Sequence, residues 1–104
     1  MKRTLTDTEY IQQLVAEGEH IHQDFKFEIS DARKIARSLS AFANTEGGRL
    51  LVGIKDNGKI AGIRSEEEIY MIEAAAEMYC QPSMEVKTQT YLAEGRTILK
   101  VNIE

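Results

Sequence analysis

The spacing of hydrophobic side chains changes twice in the first third of the chain. Apolar residues recur every three or four positions over 10–15, behind a polar run at 6–9, which predicts a short capped helix that ends at Gly18. Over 20–29 the period becomes two, which predicts a half-buried strand. The buried side of this strand would carry Ile21, Phe25, Phe27 and Ile29.

A second helix and a buried strand are predicted next. Ser30 is the expected N-cap of the helix, because an apolar stripe at helical spacing follows it over 32–43. Residues 44–48 close this helix, and the glycine pair 47–48 is expected to take the positive φ that glycine tolerates. The largely apolar segment 49–55 then predicts a buried strand.

The rest of the chain contains two hairpin patterns. Asn-Gly at 57–58 favours a tight turn, and the strand before it would pair with a return strand at 60–63. Near the end of the sequence, segments 84–92 and 97–103 flank a Glu-Gly turn at 94–95. In the last strand the alternate apolar residues are expected to face one way: Leu99, Val101 and Ile103.

A third helix is predicted between the two hairpins. Residues 65–68 form a capping-box pattern, in which the Glu68 side chain would bond the Ser65 amide. The helix would end before Pro82, which cannot continue it. Its buried stripe would consist of Ile69, Ile72, Ala76 and Tyr79.

Together these elements predict one α+β domain over residues 1–104, with a mixed, largely antiparallel β-sheet and about three helices packed on it. The single cysteine, Cys80, excludes an internal disulfide and is expected to be a buried thiol. No apolar run approaches the roughly 20 residues of a membrane span, so we expect a cytoplasmic protein without a membrane partner. Because Glu104 directly follows an apolar strand, we also expect a further C-terminal domain in a longer chain.

The charge of the chain is unevenly distributed. Thirteen basic and seventeen acidic residues give a net charge of −4. Residues 24–64 contain eight of the basic and five of the acidic residues, so this middle segment carries +3 and the remainder −7. A basic middle between acidic ends favours an anionic ligand on one surface, although a solvated helix face would give the same count.

The most distinctive stretch of the sequence is AFANTEGGRLLVGIKDNGKIAGI at 41–63. Together with Asp24-Phe25-Lys26 upstream, where the family usually has Glu-Phe-Lys, it closely resembles the Schlafen AlbA-type DNA-binding domain family over roughly residues 17–104. The resemblance implies a fold similar to that of archaeal chromatin proteins. It also implies a nucleic-acid-binding module, with DNA preferred to RNA, in a bacterial transcriptional regulator or ATP-binding protein.

Basic side chains and glycine amides are the expected phosphate contacts, since both can bind phosphate oxygens without reading sequence. The glycine pair 47–48 could form an anion-binding nest, but a helix C-cap is the more common role of such a pair. Asn44 and Thr45 could also contact phosphate, but a helix cap for Asn44 and a bond within its own turn for Thr45 are the more common roles. The candidate nucleic-acid-binding residues are Arg33, Lys34, Arg37, Asn44, Thr45, Gly47, Gly48, Arg49, Lys55 and Lys59.

Acidic residues suggest an alternative function as a metal-dependent, RNase-like nuclease. Asp24 and Lys26 share a strand face, and Asp56 ends the neighbouring strand. Carboxylates gathered in this way bind a divalent cation, and a nearby lysine stabilises a phosphoryl transition state. In Schlafen proteins that cleave RNA, acidic residues in matching motifs form such a centre, and the matches here are Glu19, Asp24 and Asp56. Mg²⁺ or Mn²⁺ is expected only under this alternative, and otherwise no cofactor.

Other function classes receive less support from the sequence. His20 and His22 share a strand face and could ligate a metal, but exposed polar residues are the more common role. No Gly-x-x-x-x-Gly-Lys-Ser/Thr loop is present, so nucleotide hydrolysis within this chain is not expected. A further alternative is an interaction or oligomerisation module, including a homodimer, in which the acidic helix at 66–77 or a sheet edge contacts a partner.

Overall fold

The computed structural model of the chain describes residues 4–104, which fold into three helices and four strands. In chain order these are α1 (Asp7–Ala16), β1 (Gln23–Lys26), α2 (Ala32–Ala43), β2 (Gly48–Val52), α3 (Glu67–Met78), β3 (Lys87–Ala93) and β4 (Arg96–Ile103). The strands form one sheet in the order β1-β2-β4-β3. β1 pairs with β2 in parallel, and the other two pairings are antiparallel. The predicted α+β class with a mixed, largely antiparallel sheet is therefore confirmed.

Helices cover both faces of this sheet. On one face, α2 and α3 pack against alternate residues of the central strands, such as Leu50 and Val101. On the other face, α1 packs through Ile11 and Leu14 against a second set that includes Leu51. The expected orientation of the last strand is confirmed, since the α2–α3 side buries Leu99, Val101 and Ile103. No helix within residues 4–104 is long and apolar enough to cross a bilayer.

The helix starts agree with the predictions at α1 and differ at α2. Thr6 caps α1, where its hydroxyl accepts from the Glu9 amide and the Glu9 carboxylate accepts from the Thr6 amide, both at 3.1 Å. Asp31, and not the predicted Ser30, caps α2. Its extended backbone lets its carboxylate accept from the Arg33 amide at 2.9 Å, and a carboxylate at this position also favours the positive end of the helix dipole.

β1 is shorter than predicted, and two of its expected core residues are exposed. Phe25 and Ile29 are buried, but Ile21 is 72% exposed and Phe27 is 48% exposed. The strand has only four residues, because the chain before it turns back through a bridge between His20 and Gln23. The prediction was wrong because the alternation of side chains holds only while the backbone remains a strand.

α3 begins differently from its predicted capping box. Glu68 is buried and does not reach the Ser65 amide; its carboxylate instead accepts from the amides of Ile29 and Arg64, each at 2.8 Å. These bonds fasten the segment after β1 to the start of α3. Tyr79 was expected in the buried stripe but is 43% exposed, because α3 ends at Met78. Cys80 is buried, as predicted.

The two turns form as predicted, but the first return strand does not. Ile54 and Ile60 form an isolated bridge around the Asn-Gly turn, and no strand continues over 60–63. Gly53 and Gly62 both have positive φ, and the Gly53 carbonyl accepts from two successive amides, so the ladder ends there. In the loop after α2, Gly47 takes a positive φ as expected, but Gly48 is part of β2 and does not.

Candidate nucleic-acid interface

A groove runs between the edge strand β1 and helix α2. Phe25 packs on the α1 side of the sheet, so Asp24 and Lys26 point to the other side, toward α2. Two depressions lie along this groove, a wider one of about 350 Å³ beside Asp24 and a narrower one of about 140 Å³ beside Lys26. We give the name β1–α2 groove to the surface that these residues form: Glu19, Ile21, Asp24, Lys26, Lys34, Ser38, Ala41 and Thr45.

α2 carries three exposed cations, one of which lines this groove. Lys34 lines its narrower part, Arg37 lies one turn further along the helix, and the Arg33 guanidinium stacks over Tyr79 at 5.4 Å from the ring centroid. Within the described part of the chain, none of the three forms an ion pair with a carboxylate. Their charges therefore remain available to an external anion.

Two further candidate cations lie on the turn after β2. Lys55 and Lys59 are both exposed, and the Lys55 ammonium lies 5.7 Å from the centroid of the Phe27 ring. Neither lysine has an ion-pair partner among residues 4–104. Phe27, which the sequence pattern assigned to the core, instead offers an exposed aromatic surface next to a free cation.

Arg49 has a different environment from the other candidate cations. Its Nη2 donates to Glu17 at 2.6 Å, and its Nε donates to the Gln23 side chain at 2.5 Å. Hydrogen bonding to His20, together with the nearby Arg49 charge, lowers the pKa of Glu17. Gln23 is fully buried and donates to the carbonyls of Leu14 and Gly18. Arg49 thus belongs to a network that joins α1 to the sheet.

The loop after α2 uses its polar groups within the fold. Asn44 is the C-cap of the helix, and the Thr45 hydroxyl donates to the Ala41 carbonyl at 3.0 Å. The Gly47 amide donates to the Phe42 carbonyl at 2.7 Å, as a C-cap does. A Cβ on Gly48 would lie 2.5 Å from the Phe42 ring. Close packing and capping therefore account for the glycine pair without an anion.

The predicted catalytic carboxylates converge in part. Asp24 and Glu19 both accept from the Phe25 amide, at 3.0 and 3.3 Å, and Lys26 pairs with Asp24 at 3.3 Å. The Asp24 carboxyl lies within hydrogen-bonding reach of Glu19 and raises the pKa of Glu19, with smaller contributions from burial and from the charge of Asp56. No group of three or more His, Cys, Asp or Glu residues within 4–104 is arranged to hold a metal ion.

The two histidines make separate contacts. His20 bonds Glu17 at 3.1 Å, whereas Nδ1 of His22 lies 2.8 Å from the Gly47 carbonyl oxygen. Their ring centroids are 6.4 Å apart. Each ring therefore bonds a different partner, and the His22 amide also links the two residues by donating to Nδ1 of His20 at 3.2 Å.

Sequence reasoning missed three residues of the β1–α2 groove: Ile21, Ser38 and Ala41. Lys34, Ser38 and Ala41 recur at three- and four-residue intervals on α2, so they share one face of the helix. This spacing could have indicated a second helix face beside the buried stripe. Ile21 gave no such signal, because its alternation with Phe25 indicated the core.

Comparison with known proteins identifies relatives of this chain. A family model described as Schlafen, AlbA_2 matches residues 19–104. The solution NMR structure of the N-terminal domain of a RecG-related protein from Nitrosomonas europaea is similar in fold, with a TM-score of 0.67 and 23% sequence identity. The similarity covers 96% of this chain and 73% of that one. No match was found among the curated proteins.

Proposed function

The chain belongs to the Schlafen AlbA_2 family, and we propose that it is a nucleic-acid-binding module with DNA as its preferred partner. The observation that carries this proposal is a set of three exposed cations on α2 that have no carboxylate partner within residues 4–104, one of which, Lys34, lines the β1–α2 groove: Arg33, Lys34 and Arg37. A cation that already has a carboxylate partner must lose it before it binds phosphate. An unpaired cation has no such partner to lose, and it releases condensed counterions from the nucleic acid.

Cations outside α2 also support the proposal. Lys34 lies in the groove itself, and Lys55 and Lys59 follow the adjacent ends of β1 and β2. Three further carboxylates lie away from these cations, around a cavity of about 660 Å³: Glu73 and Glu77 on α3, and Glu85 after it. This separation lets an acidic molecule present one basic side to a polyanion.

A role in transcriptional regulation is the biological setting that we propose for this module. Contacts through phosphate carry little sequence information, so they would hold the module on DNA without selecting a site. We further propose that the module acts in the bacterial cytoplasm.

Salt titration of DNA binding tests the proposal. Each phosphate contact contributes a slope of about −0.9 in log affinity against log salt for duplex DNA. Replacing both Arg33 and Arg37 with Gln should therefore make the slope shallower by about two units, measured by fluorescence anisotropy with a labelled duplex. The matched control replaces Lys87 and Arg96 with Gln, which removes the same charge from the β3–β4 hairpin. Absence of binding by the unaltered chain at low salt would contradict the proposal.

The proximity of Glu19 and Asp24 supports a second candidate function, metal-dependent cleavage of RNA. Mg²⁺ is commonly bound by one or two carboxylates together with substrate phosphates. The residues present fit that pattern, since two carboxyl groups adjoin and Asp56 contributes charge nearby. A bound Mg²⁺ or Mn²⁺ would supply charge stabilisation at the phosphoryl group. In this chain, Lys26 would hold Asp24 in position through their ion pair.

Cleavage of labelled RNA in the presence of Mg²⁺ or Mn²⁺ tests this candidate. Replacing Glu19 and Asp24 with Gln and Asn should abolish cleavage, whereas replacing Glu73 and Glu85 with Gln should leave it intact. The control pair lies on α3 and the segment after it, away from the β1–α2 groove. Cleavage that persists in the Glu19 and Asp24 variant would reject these carboxylates as the catalytic centre.

A further inference from the structure

We propose that the wider part of the β1–α2 groove accepts one unpaired nucleobase, so that the module recognises single-stranded nucleic acid or a displaced base. This inference rests on the proposed function and deepens it, because it assigns a ligand to a surface that phosphate contacts alone do not use. The depression has a volume of about 350 Å³, at the lower end of the roughly 300–1,000 Å³ that small-molecule sites occupy. We call it the base cleft.

The walls of the base cleft suit the flat face of a base. Ile21, Ala41 and Phe42 supply apolar surface to it. Ile21 is 72% exposed although it is a large aliphatic residue, and its side chain contributes to neither core cluster. Unpaired bases are held in pockets between aromatic and apolar side chains, and every base offers a flat face for such contact.

The rim of the base cleft determines which part of a nucleotide enters. Glu19 and Asp24 lie on the strand side of the rim, where two carboxyl groups oppose the approach of a phosphate. Carboxylate oxygens accept hydrogen bonds, so they favour a base edge that presents N–H groups. Guanine presents a ring N–H and an amino group next to each other, whereas thymine presents a single ring N–H.

The helix side of the groove accommodates the backbone of the same nucleotide. Lys34 lies two turns before Ala41 on the same face of α2, and Arg37 lies one turn before it. Both are free of ion pairs within residues 4–104. A strand that runs along α2 therefore places its phosphates against these cations while one base enters the cleft opposite the carboxylates.

Strands that differ in a single base test the inference. A labelled, short abasic DNA strand carries either one central guanine, one central thymine or no base, and all three have the same phosphates. The guanine strand should bind the full chain about tenfold more tightly than the fully abasic strand at low salt, because one stacked base contributes this much. The thymine strand should fall between them.

Filling the base cleft should remove the preference for a base and leave phosphate binding intact. Ala41 is exposed on α2, so Ala41→Leu preserves helix propensity and fills the cleft without disturbing the core. The Ala41→Leu variant should bind the guanine strand and the abasic strand with equal affinity. That affinity should match the affinity of the unaltered chain for the abasic strand. The matched control is Ala16→Leu, at the exposed end of α1 on the opposite face of the sheet, which should keep the tenfold difference.

Each alternative result has a distinct meaning. Equal binding of the guanine and abasic strands by the unaltered chain would overturn the base cleft and leave the phosphate-binding proposal standing. A preference for guanine that survives Ala41→Leu would place the base elsewhere and overturn the assignment to this groove. Absence of binding by any strand at low salt would overturn the proposed function together with the inference.

Discussion

On the α1 face of the sheet, Arg49 donates to Glu17 and Gln23, and Lys100 donates to the Tyr10 hydroxyl at 2.6 Å. Beside the β1–α2 groove, Arg37 and other cations have no carboxylate partner within the described residues. Both regions contain positive side chains, but the first uses them to join helix and strand, whereas the second leaves those on α2 without a carboxylate partner within residues 4–104. The partners of a charge, more than its presence, therefore indicate where an anionic ligand can bind.

Removing Gln23 should have the largest effect on the α1 side of this comparison. Its buried side chain bonds two carbonyls and Arg49, so Gln23→Ala removes three hydrogen bonds and creates a cavity. We expect a loss of about 3 kcal/mol in the free energy of unfolding, measured with urea. Gln13→Ala, at an exposed position of α1, should change the stability by less than about 0.5 kcal/mol. Equal effects at the two sites would show that the network is not structural.

Two arginine variants, one from each region, sharpen the comparison. Arg49→Ala should lower the free energy of unfolding by about 1–2 kcal/mol, because the partly buried ion pair and hydrogen bond are lost. It should leave the salt dependence of DNA binding unchanged. Arg37→Ala should leave stability within about 0.5 kcal/mol but make the salt slope shallower by about one unit. Urea unfolding and anisotropy on both variants check this, and a shallower slope for Arg49→Ala would contradict the distinction.

Local sequence patterns were sufficient to predict most of the fold. The capped start of α1, the apolar stripe of α2 and the two turns depend on residues within a few positions of each other, and these predictions are confirmed. Glu68 was placed wrongly because its partner Ile29 lies 39 residues away. Ile21 was placed wrongly because the length of β1 depends on its pairing with β2, which spacing does not reveal.

The candidate interface shows the same limit. Sequence reasoning selected Arg33, Lys34, Arg37 and Arg49 together because all four are basic. Their different environments depend on contacts between distant segments, such as the 32 residues that separate Arg49 from Glu17. The proximity of Glu19 and Asp24 could be anticipated from their family motif, but the Phe25 amide that both carboxylates contact follows from the position of β1 at the sheet edge.

Two glutamates near the start of β1 extend the comparison to the pH dependence of stability. The His20 and Arg49 contacts lower the pKa of Glu17 below its ordinary value of 4.5. A depressed carboxyl pKa contributes stability that is present above the unfolded-state pKa and is lost as the pH falls through the folded-state pKa. Glu17→Gln should therefore lower the melting temperature slightly at about pH 7 and have almost no effect at about pH 3, as thermal unfolding at the two pH values would show. An equal loss at both would indicate a role unrelated to charge.

Glu19 should show the opposite and smallest effect. Its neighbour Asp24 raises its pKa above 4.5, so the folded chain holds this proton more tightly than the unfolded chain does. The stability that results is complete below the unfolded-state pKa and is lost as the pH rises through the folded-state pKa. Glu19→Gln keeps an oxygen that accepts from the Phe25 amide but removes the charge beside Asp24. Its melting temperature relative to the unaltered chain should therefore increase from about pH 4 to about pH 7, whereas that of Glu17→Gln should decrease. Parallel pH profiles for the two variants would contradict the separation of the α1 network from the β1–α2 groove.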